Sequence, residues 1–119
     1  MGFGMTQAQG DIALNLNAAS ATETSGPIAP AGQAAYVLAL TQVSAITGTG
    51  ANVTVSLEES DNGSTGWTAV TGATTAAITA AGSAMCFGVP AKNHVRVRAV
   101  IAGTTPAVTA KVAVLVFSE

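Results

Sequence analysis

Hydrophobic and polar positions alternate with period two in several short stretches of this chain. From Asn52 to Glu58, Val53, Val55 and Leu57 alternate with Thr54, Ser56 and Glu58, the pattern of a strand with one buried face. Asp61-Asn62-Gly63 then supplies turn chemistry, because Asn and Gly tolerate positive φ, and Trp67-Thr68-Ala69-Val70 resumes in extended style. The span from Asn52 to Val70 is therefore a β-hairpin. His94 to Val100 alternates as cleanly, with Val95, Val97 and Ala99 facing inward and His94, Arg96 and Arg98 outward.

Other stretches are apolar on both sides. Between Tyr36 and Ile46, Tyr36, Leu38 and Leu40 fall on one face and Val37 and Val43 on the other. Such a strand should be covered twice, by a second sheet and by a neighbour. Asp11 to Leu16 reads as a first short strand, Ala18 to Ser25 as a second extended piece, and Ala84 to Val89 and Ala107 to Phe117 as later strands. Breakers separate them: Gly26 to Gly32 with two prolines, Gly48-Thr49-Gly50 ending the Tyr36 strand, Pro90, and Gly103-Thr104-Thr105-Pro106 as a turn. Alanine-rich Thr75 to Ala81 could be helical by propensity, but its shortness and β-branched neighbours argue for extended chain.

Turn signals recur every eight to twelve residues or so, which predicts an all-β protein, a two-sheet antiparallel β-sandwich of about eight strands. Residues Met1 to Gly10 read as a flexible N-terminal arm, with a single domain over 11–119.

Composition changes this picture in one direction. The 119 residues are 49% hydrophobic but only 4% aromatic, so the core is built from small side chains and is thin. Only 8% of residues are charged, against about 25% in an average soluble domain, and mean hydropathy is +0.48. Burying surface against copies of itself or another protein is the simplest way to cover so little charge, and a homo-oligomer is expected. The net charge of −2 gives no attraction to nucleic acid. The start of the chain has neither a basic region nor a long apolar run, and no membrane-spanning helix is expected. The single cysteine, Cys86, lies in the apolar run Ala84-Met85-Cys86-Phe87 and reads as a small buried hydrophobe.

Candidate chemistry is sparse. Glu58, Glu59 and Asp61 form the acidic group, placed at the hairpin tip, without the spacing of a calcium loop. Arg96 and Arg98 share one strand face and are expected to pair with Glu58 or Glu59, or with an acidic partner surface. His94 lacks the orienting carboxylate and nucleophile that a general base requires. Trp67 reads as the packing residue that closes the hairpin. Catalytic residues, cofactors and metal ligands are therefore not expected; Arg96, Arg98, Glu58, Glu59 and Trp67 are the candidate partner contacts.

Two segments, VSLEESDNGSTGWTAVTG (Val55 to Gly72) and KNHVRVRAVIAGTTPAVTAKVAVLV (Lys92 to Val116), together with the low charge and the abundance of Ala, Thr and Gly, resemble the small capsid decoration (cement) proteins of tailed bacteriophages. The resemblance covers about half the chain. It implies a jelly-roll-like sandwich, commonly a homotrimer, bound to the outside of the capsid lattice, with the major capsid protein as partner and the virion surface as location. It also implies assembly in the host cytoplasm and no catalysis, nucleic acid or membrane. A carbohydrate- or receptor-binding module centred on Trp67, and a tail-tube or head-tail joining protein, are the alternatives.

Overall fold

The computed structural model describes residues 7–28 and 34–118. These residues form six strands: β1 (Gln7–Ala19), β2 (Glu23–Thr24), β3 (Ala34–Ser60), β4 (Thr68–Thr74), β5 (Gly82–Gly88) and β6 (His94–Ser118). All pairings are antiparallel, and the described residues contain no helix. The all-β expectation holds, and the hairpin holds with it: Glu58 pairs with Ala69 and Glu59 with Thr68.

Two expected stops prove to be bends. β3 and β6 pair from Ala34↔Ser118 through to Ser60↔His94, with register shifts between Thr47 and Thr49 and between Thr49 and Asn52. Gly48-Thr49-Gly50 therefore does not end a strand, and Gly103 to Pro106 is not a connecting turn. Both breakers lie at one level of the same two-stranded ribbon, so both strands bend together and the ladder resumes beyond. Gly48 has φ 113° and Gly103 φ 117°, a region open to glycine alone. The approach is also close: a Cβ on Gly103 would stand 2.6 Å from Cα of Ala51, and one on Gly48 would stand 2.7 Å from the carbonyl oxygen of Thr105.

The bend divides the ribbon into two halves, each flanked by its own neighbours. On one side β1 pairs with the second part of β6, which pairs with the first part of β3 and then β5. On the other, β2 pairs with the first part of β6, then the second part of β3, then β4. The halves meet face to face: the Cys86 Sγ of β5 lies 3.8 Å from the carbonyl oxygen of Val55. A Cβ at Gly88 would meet Val70 Cγ1 at 2.8 Å and Ala73 Cβ at 3.2 Å on β4. This order is compatible with the expected jelly-roll-like sandwich. The described residues form six continuous strands where about eight were expected, because β3 and β6 each serve both halves.

One apolar cluster fills the space between the halves. Val37, Ala39 and Val43 come from the first, and Val53, Val55, Leu57, Val95, Val97 and Ala99 from the second. Most members are Val or Ala, and Leu16 and Leu57 are the largest side chains fully enclosed. The core is as thin as the composition implied.

The ends of the elements carry two more corrections. Gln7 to Gly10, expected in a free arm, continue β1 and pair with Ser118, Phe117, Val116 and Leu115; the end of β6 offers backbone groups that need partners. Met1 to Thr6 lie outside the described residues. Of Ala18 to Ser25, Ala18 and Ala19 end β1 and Glu23–Thr24 forms a separate two-residue strand. The Ser25 hydroxyl then accepts from the Val97 N–H at 2.9 Å, and Ile28 bridges Val95. The Thr75 N–H donates to the Val55 carbonyl and Ile78 bridges Val53, so the segment is extended, in line with its shortness and β-branched neighbours.

Candidate functional site

The outward positions of the two halves differ in kind, and the difference follows from sequence parity. In the second half, inward Val53, Val55, Leu57, Val95 and Val97 alternate with outward Thr54, Ser56, Glu58, Arg96 and Arg98. Ser56 stands opposite Arg98 and Glu58 opposite Arg96. This polar face carries Glu58, Arg96 and Arg98, while Glu59, opposite Val95, has the inward parity.

The acidic pair is not at the hairpin tip. Glu58 and Glu59 are the buried closing residues of β3, with 8% and 9% of their surface exposed; Asp61 alone of the three lies exposed in the turn. Arg96 brings Nε and a terminal guanidinium nitrogen to Glu58 Oε1, each at 2.8 Å. Arg98 lies 3.7 Å from Glu58 Oε2. The Arg96 guanidinium also sits 4.4 Å from the centroid of the Trp67 ring, a cation–π contact. Glu59 accepts the N–H of Ala91 at 2.7 Å and so holds the loop before β6 against the end of β3. Strand pairing explains the cluster: Glu58 and Arg96 are direct cross-strand neighbours on one face.

Arg96 is therefore held in place by Glu58 and Trp67 together. Arg98 keeps 46% of its side chain exposed, and its longer contact leaves donors for another molecule. Replacing Glu58 with Ala is expected to destabilise the fold by about 2 kcal/mol, because a charge-assisted pair is lost and two arginines remain side by side. Urea unfolding of Glu58→Ala, Arg96→Ala and the double variant gives the coupling directly; additive effects would mean the pair contributes nothing.

The tip itself is self-contained. The Ser60 hydroxyl accepts from the N–H groups of Asn62 and Gly63 and donates to the Thr65 carbonyl, while Asn62 Oδ1 accepts from Ser64 and Thr65. Gly63 has φ 77° and lies against the His94 ring, where a Cβ would come within 2.8 Å. His94 is thus a wall of the turn. Its Nδ1 is buried without a hydrogen-bond partner. Among the described residues no group of three or more His, Cys, Asp or Glu could hold a metal ion.

Cys86 is buried and free. Burial raises its pKa from 9.0 to about 11, since the thiolate would lose its hydration. The unfolded chain releases this proton near pH 9 while the folded chain retains it. Stability is therefore full below about pH 9 and falls as pH rises toward 11, by about 2–3 kcal/mol in total. Cys86→Ala should remove that part of the alkaline loss, read as the difference between the two pH–stability curves. At pH 8 the native thiol should resist alkylation that the unfolded chain undergoes at once.

Toward one end of the first half, beyond Gln42, the outward positions are apolar. Tyr36, Leu38 and Leu40 pair across β3 with Phe117, Leu115 and Ala113 of β6, and Leu38 and Leu40 pair on the other side with Phe87 and Met85 of β5. Tyr36 stacks on Phe117 at 4.6 Å between centroids and meets Phe87 edge-on at 6.2 Å. Met85, Phe87 and Val89 are 60%, 58% and 70% exposed. The sequence pattern has this strand covered on both faces, by a second sheet and by a neighbour, without saying which covers which, and this face was left out of the candidate contacts. The run Ala84-Met85-Cys86-Phe87, apolar in both parities, was the signal for it.

No protein-family model and no curated protein sequence matches the chain. Solved structures do share its fold. The PBSX exported protein XepA superposes with TM-score 0.67 at 16% identity over 93% of this chain, which spans 37% of XepA. A structure of Bacillus endospore appendages, described as disulfide-linked pili, gives TM-score 0.55 at 20% identity, covering 93% of this chain and 88% of that one. The SPBc2 prophage-derived protein YomS gives TM-score 0.55 at 13% identity and covers 94% of both chains. At these identities the shared property is the fold: this chain has the all-β architecture found in phage-derived proteins and in endospore appendages.

Proposed function

We propose that this chain is a non-enzymatic structural component of a phage-type particle, and specifically a decoration protein that binds the outside of the capsid lattice and stabilises it. The observation that carries the reading is the division of the surface. Glu58, Arg96 and Trp67 are engaged with one another on one half, and on the other Tyr36, Leu38, Leu40, Met85 and Phe87 offer uncharged contact area. The phage derivation of two structural neighbours supports the particle context.

In this reading the polar face meets the shell. Arg98 supplies free donors to an acidic or carbonyl-rich surface, and Arg96, held by Glu58 and Trp67, presents a fixed edge. Small rigid domains that bridge neighbouring capsid subunits add contact at many equivalent sites, and multivalent attachment multiplies a modest affinity. Nothing favours the carbohydrate module: Trp67 already has a guanidinium against its ring, and a sugar platform would need that ring surface. Disulfide linkage of the kind named for the endospore appendages is not open to Cys86, which is buried and resists ionisation.

The test is reconstitution. Purified protein is added to expanded empty shells, and occupancy is read by density-gradient sedimentation and electron microscopy, with Arg98→Glu as the comparison. Regular occupancy by the wild type, reduced at least about tenfold by the substitution, supports the reading; loss of one desolvated charge contact predicts that much. Recovery of the protein in purified tails, with none on heads, would place it in a tail tube or joining structure instead.

A further inference from the structure

We infer that the apolar outer face of the first half-sheet is a self-association surface, covered by a second copy of this chain. The face is built by Tyr36, Leu38 and Leu40 of β3, Met85 and Phe87 of β5 and Phe117 of β6, with Val89 just beyond β5. It is bounded by a polar row that crosses four strands at one level: Asn15, Lys111, Gln42 and Ser83, each paired with the next and each exposed. An apolar centre with a polar border is the anatomy of a protein interface.

The chemistry of the face selects the occupant. None of Tyr36, Leu38, Leu40, Met85, Phe87, Val89 and Phe117 is charged, so a charged partner seated on them would lose hydration without gaining a counter-charge. A lipid surface would call for a cationic border, and Lys111 is the only cation in the polar row. The shallow depression of about 310 Å³ between Tyr36, Leu38, Met85, Phe87, Gly88 and Val89 has no convergent polar groups to orient a small ligand. Another apolar sheet face satisfies all these conditions, and the chain itself supplies one.

Area agrees with that choice. Met85, Phe87, Val89 and Leu40 together expose on the order of 500 Å² of side chain, already in the range of the largest patch on a typical monomer. Two such faces brought together bury about 1,000 Å² before the half-buried Tyr36, Leu38, Leu115 and Phe117 are added, which approaches the roughly 1,200 Å² where stable interfaces begin. Face-to-face packing of β-sheets about 10 Å apart is a common geometry and requires no rearrangement of either strand set.

Sedimentation velocity and light scattering of the purified full-length chain, over about 1–50 μM, test the inference without any shell present. They separate it from the functional proposal, since an oligomer could form whether or not it binds a particle. The expected result is a closed homo-oligomer. Met85→Lys and Phe87→Ser should each weaken association at least about 100-fold, while Asp61→Asn, at the far hairpin tip, should leave it unchanged. Met85 and Phe87 point away from the core, so far-UV circular dichroism and melting should show both variants folded. If either fails to fold, Val89→Lys, beyond the strand, gives the same readout. A wild-type monomer at 50 μM, or an oligomer indifferent to these substitutions, overturns the inference. So does a monomer that associates only after Met1 to Thr6 are removed, because that segment would then be the occupant.

Discussion

Gly103→Ala is expected to destabilise the protein by about 3 kcal/mol or more, because it combines backbone strain with a steric collision. At φ 117° an alanine is strained whatever its surroundings. Here the surroundings are also closed: the new methyl would lie 2.6 Å from the Ala51 Cα and 2.9 Å from its nitrogen. Backbone atoms on the facing strand cannot swing aside as a side chain can. Relief would require opening the corner where β3 and β6 bend, and that corner sets the approach of the two halves. Gly72→Ala is the comparison. Gly72 has φ 75° with nothing within 4 Å of a built Cβ, so only the conformational cost of about 1–2 kcal/mol should appear. Urea unfolding of both variants measures the difference; equal losses would show that the close approach at the corner carries no energy.

Leu57→Ala is expected to cost about 3–4 kcal/mol, toward the upper part of the range for buried leucines. Leu57 is fully enclosed and sits between the two halves. Its neighbours are largely Val and Ala, whose short stiff side chains cannot extend into the space it would leave. A core with more long, flexible groups would collapse partly around the cavity and lose less. Leu16→Ala should behave alike, since Leu16 is equally enclosed. Leu40→Ala, on the outer face and 40% exposed, should cost the isolated chain under about 1 kcal/mol, and more at high concentration only if that face is the self-association surface proposed above. A chemical denaturation series across the three separates core burial from interface burial.

How far the sequence could be read depended on the range of the signal. Period-two alternation is local, so the hairpin from Asn52, the strand from His94 and the side on which Arg96 and Arg98 stand were all legible. The pairing of Arg96 with Glu58 was nearly so, because two strands with clean parity leave few registers that bury both apolar sets. Gly48-Thr49-Gly50 and Gly103 to Pro106 misled for the same reason. A glycine that ends a strand and a glycine that bends one look alike locally, and only the arrival of a second bend opposite the first decides between them. Glu58 and Glu59 were misplaced to the tip because acidic residues beside a turn are ordinarily solvated. The partners that hold them there, the Ala91 N–H on Glu59 and Arg96 on Glu58, come from 32 and 38 residues away in the chain.

By itself, then, the sequence determined the all-β class, the inward set of valines and alanines, the inert character of Cys86 and a chain poor in charge. Each follows from the chemistry of a residue or its nearest neighbours. The tertiary structure decided that two strands run through the whole molecule, that the ribbon folds over at paired glycines, and that one half turns a charged face outward and the other an apolar one. Those outcomes depend on which segments meet across long sequence separations. Backbone hydrogen bonds are nearly indifferent to residue identity, so strand composition alone does not choose the partner; the closing of a common core does.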